Sequence, residues 1–314
     1  MRKLAVFAVV LPCWAFLIFL PRSAALQSFT AQVMTLGIRM GRFPSLAWNR
    51  DQRCSLADAL NHAVEPEAGG EQAHFRDACK RVRSEEGLDL IETPLGSFWI
   101  PPRDFDALAE MLEEQHRDVY GVDRGGVRTG DVVLDCGANV GVYTRRSLNA
   151  GASVVVSIEP APENLLCLRR NFPKEIRDGR VIIYPKGVWD KDEELELTTS
   201  PDLASTADSV AINRGASGPK ISLTTIDKMV AELKLARVDS IKMDIEGAEG
   251  KALMGGRETI AKYHPRMAIS LEHRWEDART IPALIGRLSP SRPPACGPCR
   301  NVFGHIQPEV AFVR

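Results

Sequence analysis

A hydrophobic segment in the middle of the chain runs directly into a turn that contains two glycines. Residues 132–141, VVLDCGANVG, have the pattern of a buried strand followed by a tight turn and the start of a helix. Because glycine has no Cβ atom, the backbone of such a turn can approach a ligand closely at the carboxyl end of a sheet. The spacing predicts a nucleotide-binding loop, which contains Asp135, Gly137, Asn139 and Gly141.

Two carboxylates indicate which nucleotide this loop would bind. Glu159 follows Gly141 by eighteen residues, close to the ~20-residue spacing of an acid that binds ribose hydroxyls. Asp135 stands where a Gly-x-Gly-x-x-Gly loop has its first glycine, and its negative charge repels a pyrophosphate. The same charge attracts a ligand that carries an ammonium and a sulfonium group. These residues favour S-adenosylmethionine as the cofactor over a nicotinamide dinucleotide.

A second polar set lies further along the chain. Ser240, Lys242, Asp244 and Glu246 alternate with apolar residues, which places their side chains on one face of a predicted strand. A central parallel strand is covered on both faces and is mostly apolar. These charges are therefore expected at the carboxyl end of the strand, where they face a crevice.

A hydroxyl group that reacts in this crevice would need a base within hydrogen-bond reach, if a base is used at all. The candidates are Asp244, Glu246 and His273, because His273 ends the next predicted strand and opens onto the same edge of the sheet. A solvent-facing loop position is the alternative interpretation of His273. Glu249 lies in the first turn of a predicted helix, where an acid is already favoured by the helix dipole, and is assigned a positioning role at most.

Predicted strands and helices alternate regularly around these candidate residues. Strands are expected near residues 132, 154, 181, 241 and 268, and helices near residues 142, 164, 253 and 283. This alternation predicts a parallel sheet covered by helices. Two short strands are expected within residues 90–100, a loop over residues 289–300 and a closing edge strand at residues 309–313.

Three motifs together resemble one protein family. Residues 133–141 (VLDCGANVG), 157–165 (SIEPAPENL) and 239–249 (DSIKMDIEGAE) are similar to the motifs of FkbM-type S-adenosylmethionine-dependent methyltransferases. The resemblance implies an α/β fold of the class I methyltransferase, Rossmann-like type, with a doubly wound, mostly parallel sheet and helices on both faces. The four loop residues named above match the cofactor loop of the family, and Glu159 matches its ribose-binding acid.

The resemblance also implies a reaction, the O-methylation of a hydroxyl group, and predicts no particular acceptor. We expect the hydroxyl to belong to a sugar or other polar metabolite, whether a small molecule or a glycan. Two alternatives stay open: a nicotinamide-dependent oxidoreductase on a similar sheet, and a non-catalytic, membrane-tethered binding module. The 40 basic and 41 acidic residues leave a net charge of −1, which disfavours nucleic acid as a partner. The sequence leaves the acceptor and the oligomeric state open.

The N-terminal segment differs from the rest of the chain. An uncharged apolar run from Leu4 to Leu20 follows Arg2 and Lys3, and as a helix it would be ~25 Å long, close to the ~30 Å of a bilayer core. We expect a single-pass N-terminal membrane anchor. The small residues 23–25 offer a cleavage site, so a cleaved signal peptide and an exported product are the alternative.

Cysteine and histidine spacing gives little further chemistry. Seven cysteines are too few for a disulfide scaffold. Cys296 and Cys299 have the redox Cys-x-x-Cys spacing, but they lie in the predicted proline-rich loop, so a disulfide or a free pair is favoured over a catalytic dithiol. The histidines are isolated, and we expect no metal site.

The sequence is thus divided into three parts. Residues 1–25 are predicted to be a signal-anchor or signal peptide, and residues 26–87 a helical and loop extension. Residues 88–314 are predicted to form the Rossmann-like methyltransferase domain, with its core motifs at residues 131–273.

Overall fold

The computed structural model describes residues 50–57, 75–197, 218–302 and 305–314, together with residues 45 and 60. The predicted anchor at residues 1–25 and most of the predicted extension lie outside the described residues, so both stay predictions. Among the described helices, none combines the length and the hydrophobicity that crossing a bilayer requires.

The helices and strands alternate as the sequence predicts. The helices are α1 (Phe105–His116), α2 (Val142–Asn149), α3 (Pro162–Asn171), α4 (Pro173–Arg177), α5 (Ile226–Glu232), α6 (Glu249–Gly255), α7 (Arg257–Tyr263) and α8 (Asp277–Leu288). The strands are β1 (Lys80–Glu85), β2 (Leu88–Thr93), β3 (Gly96–Ile100), β4 (Val132–Cys136), β5 (Val154–Ile158), β6 (Val181–Tyr184), β7 (Gly187–Val188), β8 (Glu193–Glu196), β9 (Lys220–Thr224), β10 (Ser240–Met243), β11 (Arg266–Ser270), β12 (Ala295–Cys296), β13 (Cys299–Val302), β14 (His305–Pro308) and β15 (Val310–Val313).

A seven-stranded sheet with the order β12-β15-β11-β10-β4-β5-β6 forms the centre of the described chain. The strands from β11 to β6 are mutually parallel, and β15 and β12 are antiparallel additions. Parallel strands place all their carboxyl ends at one edge, so the loops after β4, β5, β10 and β11 meet there. The prediction of a mostly parallel, Rossmann-like sheet is confirmed.

Alternate residues of the central strands pack on opposite faces of this sheet. Val133 and Val155 contribute to one hydrophobic cluster with residues of α2 and α3, whereas Leu134 and Val156 contribute to a second cluster with residues of α5 to α8. All four side chains are fully buried, and each such burial stabilises the fold by ~1.5 to 3 kcal/mol. The near-continuous apolar sequence of β4 and β5 is required because both faces are covered.

The C-terminal strand is not the edge strand that the sequence predicts. β15 lies between β11 and β12, and its Ala311 pairs with Ile269 on one side and Cys296 on the other. The short strand β12 takes the edge, although the surrounding segment was expected to be a loop. The sequence gives no signal for this strand, because two residues within a proline-rich segment are too few to show an alternating pattern.

The three-stranded meander β1-β2-β3 extends the domain before the predicted boundary at residue 88. β1 pairs with β2 from Lys80 to Glu85, so the boundary falls between two hydrogen-bonded strands. The side chain of Asn171 at the end of α3 joins the meander to the sheet: its Oδ1 accepts a hydrogen bond from the Trp99 N–H at 2.6 Å, and its Nδ2 donates to the Val140 carbonyl at 2.8 Å.

A disulfide joins Cys54 to Cys299 and leaves Cys296 with a free thiol. The Cys296–Cys299 motif is therefore split, and neither a disulfide within the motif nor a free pair is formed. The guanidinium of Arg53 lies 3.4 Å from the Cys296 sulfur. The disulfide ties the segment at residues 50–57 to strand β13, across a separation of 245 residues.

We expect Cys54→Ser to lower the free energy of unfolding by about 2 to 5 kcal/mol, because the disulfide closes a long loop in the unfolded chain. Urea denaturation without reductant measures the change. Cys296→Ser is the matched control and should leave the midpoint unchanged. A wild-type midpoint that does not respond to reductant would contradict the expectation.

Candidate active site

A cleft opens at the carboxyl ends of the parallel strands. It encloses about 1300 Å³ including its open mouth. The predicted site residues that line it are Gly137, Asn139, Glu159, Asp244, Glu246 and His273. Sequence positions that are far apart are therefore brought together as predicted, with the exceptions of Asp135 and Gly141.

Glu159 fixes the shape of the glycine loop. Its Oε2 accepts a hydrogen bond from the Asn139 N–H at 2.9 Å, and its Oε1 accepts one from the Ala161 N–H at 2.8 Å. Asn139 has a positive φ of 49°, and its own side chain accepts from the Val140 N–H at 2.7 Å, a local bond that suits asparagine in this conformation. The loop is thus held in place by the protein's own hydrogen bonds.

Gly137 has no space for a side chain. Its φ is 80°, and a Cβ atom there would lie 1.9 Å from the Asp244 carbonyl oxygen. The loop after β4 and the segment after β10 therefore touch through their backbones. This contact sets the distance between the predicted cofactor loop and the predicted acidic strand end.

Asp135 lies beneath the loop and not in the wall of the cleft. The side chain is fully buried, its Oδ2 accepts from the Thr144 hydroxyl at 2.7 Å, and its Oδ1 lies 3.6 Å from the Lys242 ammonium. Burial raises the pKa of Asp135, and Lys242 opposes that rise. Lys242, its neighbour in register on β10, lies against its charge, and Asp135 is not among the residues that line the cleft. A direct contact of Asp135 with the cofactor stays a prediction.

Gly141 also serves the fold and not the cleft. It caps the start of α2 with a φ of 97°, and a Cβ atom there would lie 2.3 Å from the Phe172 ring. The predicted ligand contact is replaced by close packing of α2 against Phe172. The sequence pattern cannot separate these two reasons for a glycine.

Asp244 is the centre of the polar network after β10. Its Oδ1 lies 2.8 Å from His273 Nε2, and its Oδ2 accepts a hydrogen bond from the Tyr120 hydroxyl at 2.8 Å. The Lys242 ammonium lies 3.9 Å from Oδ2. Burial opposes the charge of Asp244, but Lys242 and His273 outweigh burial and lower its pKa below the usual range. Asp244 is a stable anion and a weak base.

His273 is surrounded by carboxylates. Glu249 Oε1 lies 3.5 Å from Nε2, and Glu246 Oε2 lies 3.7 Å from Nδ1. Burial lowers the pKa of His273, but Glu249 and Asp244 more than offset burial and raise it well above its usual value. His273 is therefore an imidazolium at neutral pH, so it has no lone pair with which to accept a proton.

One oxygen each of Asp244 and Glu249 and one ring nitrogen of His273 lie within 4.8 Å of one another, a spacing that suits a metal ion. Two of these atoms have partners in the protein, because Nε2 faces Asp244 and the Oε1 of Glu249 accepts from the Ile245 N–H at 2.8 Å. The positive charge that these carboxylates face is His273 itself, and we assign no metal to them.

Several cleft residues were missed by the sequence interpretation. They are Glu110, Glu114 and Tyr120 on or after α1, Asn164 on α3, Lys242 on β10 and Glu272 after β11. Lys242 was expected only as a member of the polar set on its strand. Glu272 had a usable signal, since it directly precedes His273 at the same edge of the sheet. The residues on α1 had no usable signal in the sequence, because only the tertiary fold brings this helix over the cleft.

Asn164 offers an unused hydrogen-bond acceptor in the cleft wall. The residue is 2% exposed, and its Oδ1 has no hydrogen-bond partner in the part of the chain that the structure describes. An unsatisfied buried acceptor costs ~1 to 3 kcal/mol. A ligand that donates a hydrogen bond at this position would remove that cost.

Residues 135–293 match the family model of the methyltransferase FkbM domain. The match spans half of the chain, and the chain belongs to the FkbM methyltransferase family; its cofactor is S-adenosylmethionine. No curated protein matches the chain.

Solved structures that are similar to this chain include two methyltransferases. Methyltransferase FkbM from Methylobacillus flagellatus KT is 18% identical with a TM-score of 0.47, over 90% of this chain and 60% of that chain. TYW2 from M. jannaschii, in complex with AdoMet, is 15% identical with a TM-score of 0.37, over 74% of this chain and 86% of that chain. The chain thus spans about 60% of the length of the Methylobacillus protein.

The residues of the cleft fit S-adenosylmethionine. Its ammonium and sulfonium groups suit a cleft lined by carboxylates, and its hydroxyl and amino donors suit the unpartnered Oδ1 of Asn164. Gly137, Asn139, Glu159 and Asn164 are the residues that would hold it.

We expect His273→Gln to destabilise the protein by about 3 kcal/mol near pH 6, because it removes one partner of a largely buried ion pair. The folded-state pKa of His273 lies above the unfolded value of about 6.5. Its contribution is therefore complete below pH 6.5 and lost as the pH rises through the folded pKa. Urea denaturation from pH 5 to pH 9 measures the difference from the wild type.

The exposed His305 provides the control, since His305→Gln should change stability little at any pH. A difference between His273→Gln and the wild type that stays constant across this range would show that the imidazolium is not the origin of the effect.

Proposed function

We propose that the chain is an S-adenosylmethionine-dependent O-methyltransferase that acts on a hydroxyl of a sugar or other polar metabolite. The observation that carries the proposal is the position of the polar network. Tyr120, Asp244, Glu272 and His273 gather beside the glycine loop, at the edge of the sheet where the cofactor of this family binds. A polar acceptor would find hydrogen-bond partners there.

The two ends of the cleft suit different ligand groups. Apolar side chains of Val188, Leu197, Ile221 and Leu223 line the end beside β7 and β9, which suits a flat heterocycle such as adenine. Carboxylates line the opposite end. An acceptor with a phosphate or carboxylate group would be repelled there, so a neutral or cationic acceptor is favoured.

Bound S-adenosylmethionine supplies a methyl carbon that is activated by the neighbouring sulfonium. Glu159 and Asn164 would hold the nucleoside, and Asp244 with Tyr120 and His273 forms a rigid wall for the acceptor. Holding two reactants in near-attack geometry supplies ~7 to 11 kcal/mol. The hydrogen bonds and the 3.9 Å ion pair of Asp244 fix this wall before any acceptor arrives.

The charges of the cleft argue against a nicotinamide dinucleotide. Among the described residues that line it, Lys242 and His273 are the basic ones. Lys242 is held by Asp135, Asp244 and the Gly137 carbonyl, and His273 is held by Asp244. Neither is available to neutralise a pyrophosphate. The alternative of a non-catalytic binding module differs from the proposal in turnover and not in geometry.

We expect micromolar binding of S-adenosylmethionine and S-adenosylhomocysteine and none of NAD. Glu159→Ala should weaken binding of both sulfur compounds ten- to hundredfold, since a hydrogen bond to a charged group contributes ~1.5 to 3 kcal/mol. Isothermal titration calorimetry measures this, and the exposed Glu196→Ala is the control. Transfer of a radiolabelled methyl group to a panel of sugars and amino alcohols then tests turnover. A folded protein that binds neither sulfur compound would overturn the proposal.

We also propose that residues 1–25 attach the domain to a membrane, which the uncharged run from Leu4 to Leu20 supports. The Cys54–Cys299 disulfide supports an oxidising compartment for the domain. The full chain should stay in the membrane pellet after carbonate extraction, whereas a chain that lacks residues 1–25 should not. Release of the full chain into the supernatant would contradict the proposal.

A further inference from the structure

Glu272 is a carboxylate of the cleft that the Asp244 network does not use. It follows β11 and directly precedes His273. Its Oε2 accepts a hydrogen bond from Arg300 at 3.0 Å, whereas no hydrogen-bond donor among the described residues contacts its Oε1. Arg300 therefore fixes the side chain at one oxygen, and the second oxygen is free to meet a ligand in the cleft.

The neighbouring candidates cannot easily accept a proton. Asp244 has both oxygens engaged, by His273 and by Tyr120. His273 already carries a proton because carboxylates surround it. If the acceptor loses a proton to the protein, another base must take it. Glu272 lies at the same edge of the sheet and is part of the same cleft.

The surroundings of Glu272 are rich in negative charge. The groups that face it are His273 beside it, Asp244 after β10, Glu309 before β15, Arg300 on β13, and Glu110 and Glu114 on α1. Arg300 also lies 3.4 Å from Glu309, which Arg117 contacts at 2.8 Å. Arg300 and Arg117 together pair with four carboxylates, those of Glu110, Glu113, Glu272 and Glu309, so negative charge exceeds positive charge in these ion pairs.

The excess of negative charge raises the pKa values of two carboxyl groups, those of Glu272 and Glu114. Burial and the charge of Glu309 raise the pKa of Glu272 to about 7. Burial and the charge of Asp244 raise the pKa of Glu114 well above its usual value. A base works best when its pKa is near the operating pH. Glu272 meets this condition.

We propose that Glu272 takes the proton of the acceptor hydroxyl and that Arg300 positions it to do so. This inference rests on the proposed function. The Oε1 of Glu272 forms a bond to the acceptor proton, and the electron pair of the broken O–H bond stays on oxygen. Oxygen uses an electron pair to bond to the methyl carbon, and the sulfur keeps the pair of the broken C–S bond. Glu272 ends neutral and then releases its proton to solvent.

A carboxyl group next to the methyl-transfer position should sense the sulfonium charge, and this can be measured without an acceptor. A group with a pKa of about 7 is about half protonated at pH 7, so a nearby cation should expel up to about half a proton. We would titrate the full chain at pH 7 with S-adenosylmethionine and with S-adenosylhomocysteine, whose sulfur carries no charge. Calorimetry in buffers of different ionisation enthalpy gives the number of protons released.

The number of protons released by each variant is compared with the number released by the wild type. Protons that the ligands themselves release are the same in both experiments and cancel in the difference. Glu272→Gln should reduce the excess proton release with S-adenosylmethionine relative to the wild type by up to about half a proton, and affinity for S-adenosylhomocysteine should change less than threefold. Glu196→Gln, at an exposed carboxylate outside the cleft, should keep the excess. Arg300→Met should shift the release to higher pH.

An acceptor found in the methyl-transfer screen gives a second readout. Glu272→Gln should lower kcat by about 10² to 10⁴-fold and remove the rise of rate with pH around pH 7, and Glu272→Asp should restore part of the rate. An unchanged excess of protons in Glu272→Gln, or its loss in Glu114→Gln alone, would overturn the assignment of Glu272. Failure of both sulfur compounds to bind would instead overturn the proposed function itself.

Discussion

The buried ammonium of Lys242 is the interaction on which the site depends. It lies between Asp135 on the neighbouring strand, at 3.6 Å, and Asp244 above it, at 3.9 Å, and it donates a hydrogen bond to the Gly137 carbonyl at 3.0 Å. A buried charge is tolerated only when it is paired and hydrogen-bonded. One lysine therefore holds the glycine loop and the acidic strand end together. Tyr120 and Tyr143 enclose it, with their rings 5.3 and 5.8 Å from the nitrogen.

The carboxyl groups around the cleft differ because their surroundings differ. Asp244 is kept ionised by Lys242 and His273, Glu272 has a pKa of about 7, and Glu114 has a pKa well above its usual value. Environments that separate the pKa values of neighbouring acids are the usual way in which one site obtains both a fixed charge and a group that exchanges protons. The electrostatics of this cleft thus give two carboxyl groups different roles: Asp244 is a fixed charge that positions its neighbours, and Glu272 is the group that exchanges a proton.

The C-terminal strands contribute directly to the acceptor side. β15 places Glu309 beside β11, and β13 carries Arg300 next to the disulfide-bonded Cys299. The segment after residue 289 lies outside the motifs that carry the family resemblance, yet it supplies the guanidinium that holds Glu272. The cofactor side is built by the parallel strands, and the C-terminal hairpin and α1 complete the acceptor side.

The sequence by itself determined the alternating strands and helices, the parallel sheet and the ends of the strands where Gly137, Asn139, Glu159 and Asp244 meet. These follow from local periodicity and from the rule that parallel strands share one carboxyl edge. The tertiary structure alone decided that Asp135 pairs with Lys242, that Gly141 packs against Phe172, that Cys54 bonds to Cys299, and that Asp244 and His273 neutralise each other. Each of these depends on a partner that is distant in sequence, and a local pattern carries no information about such a partner.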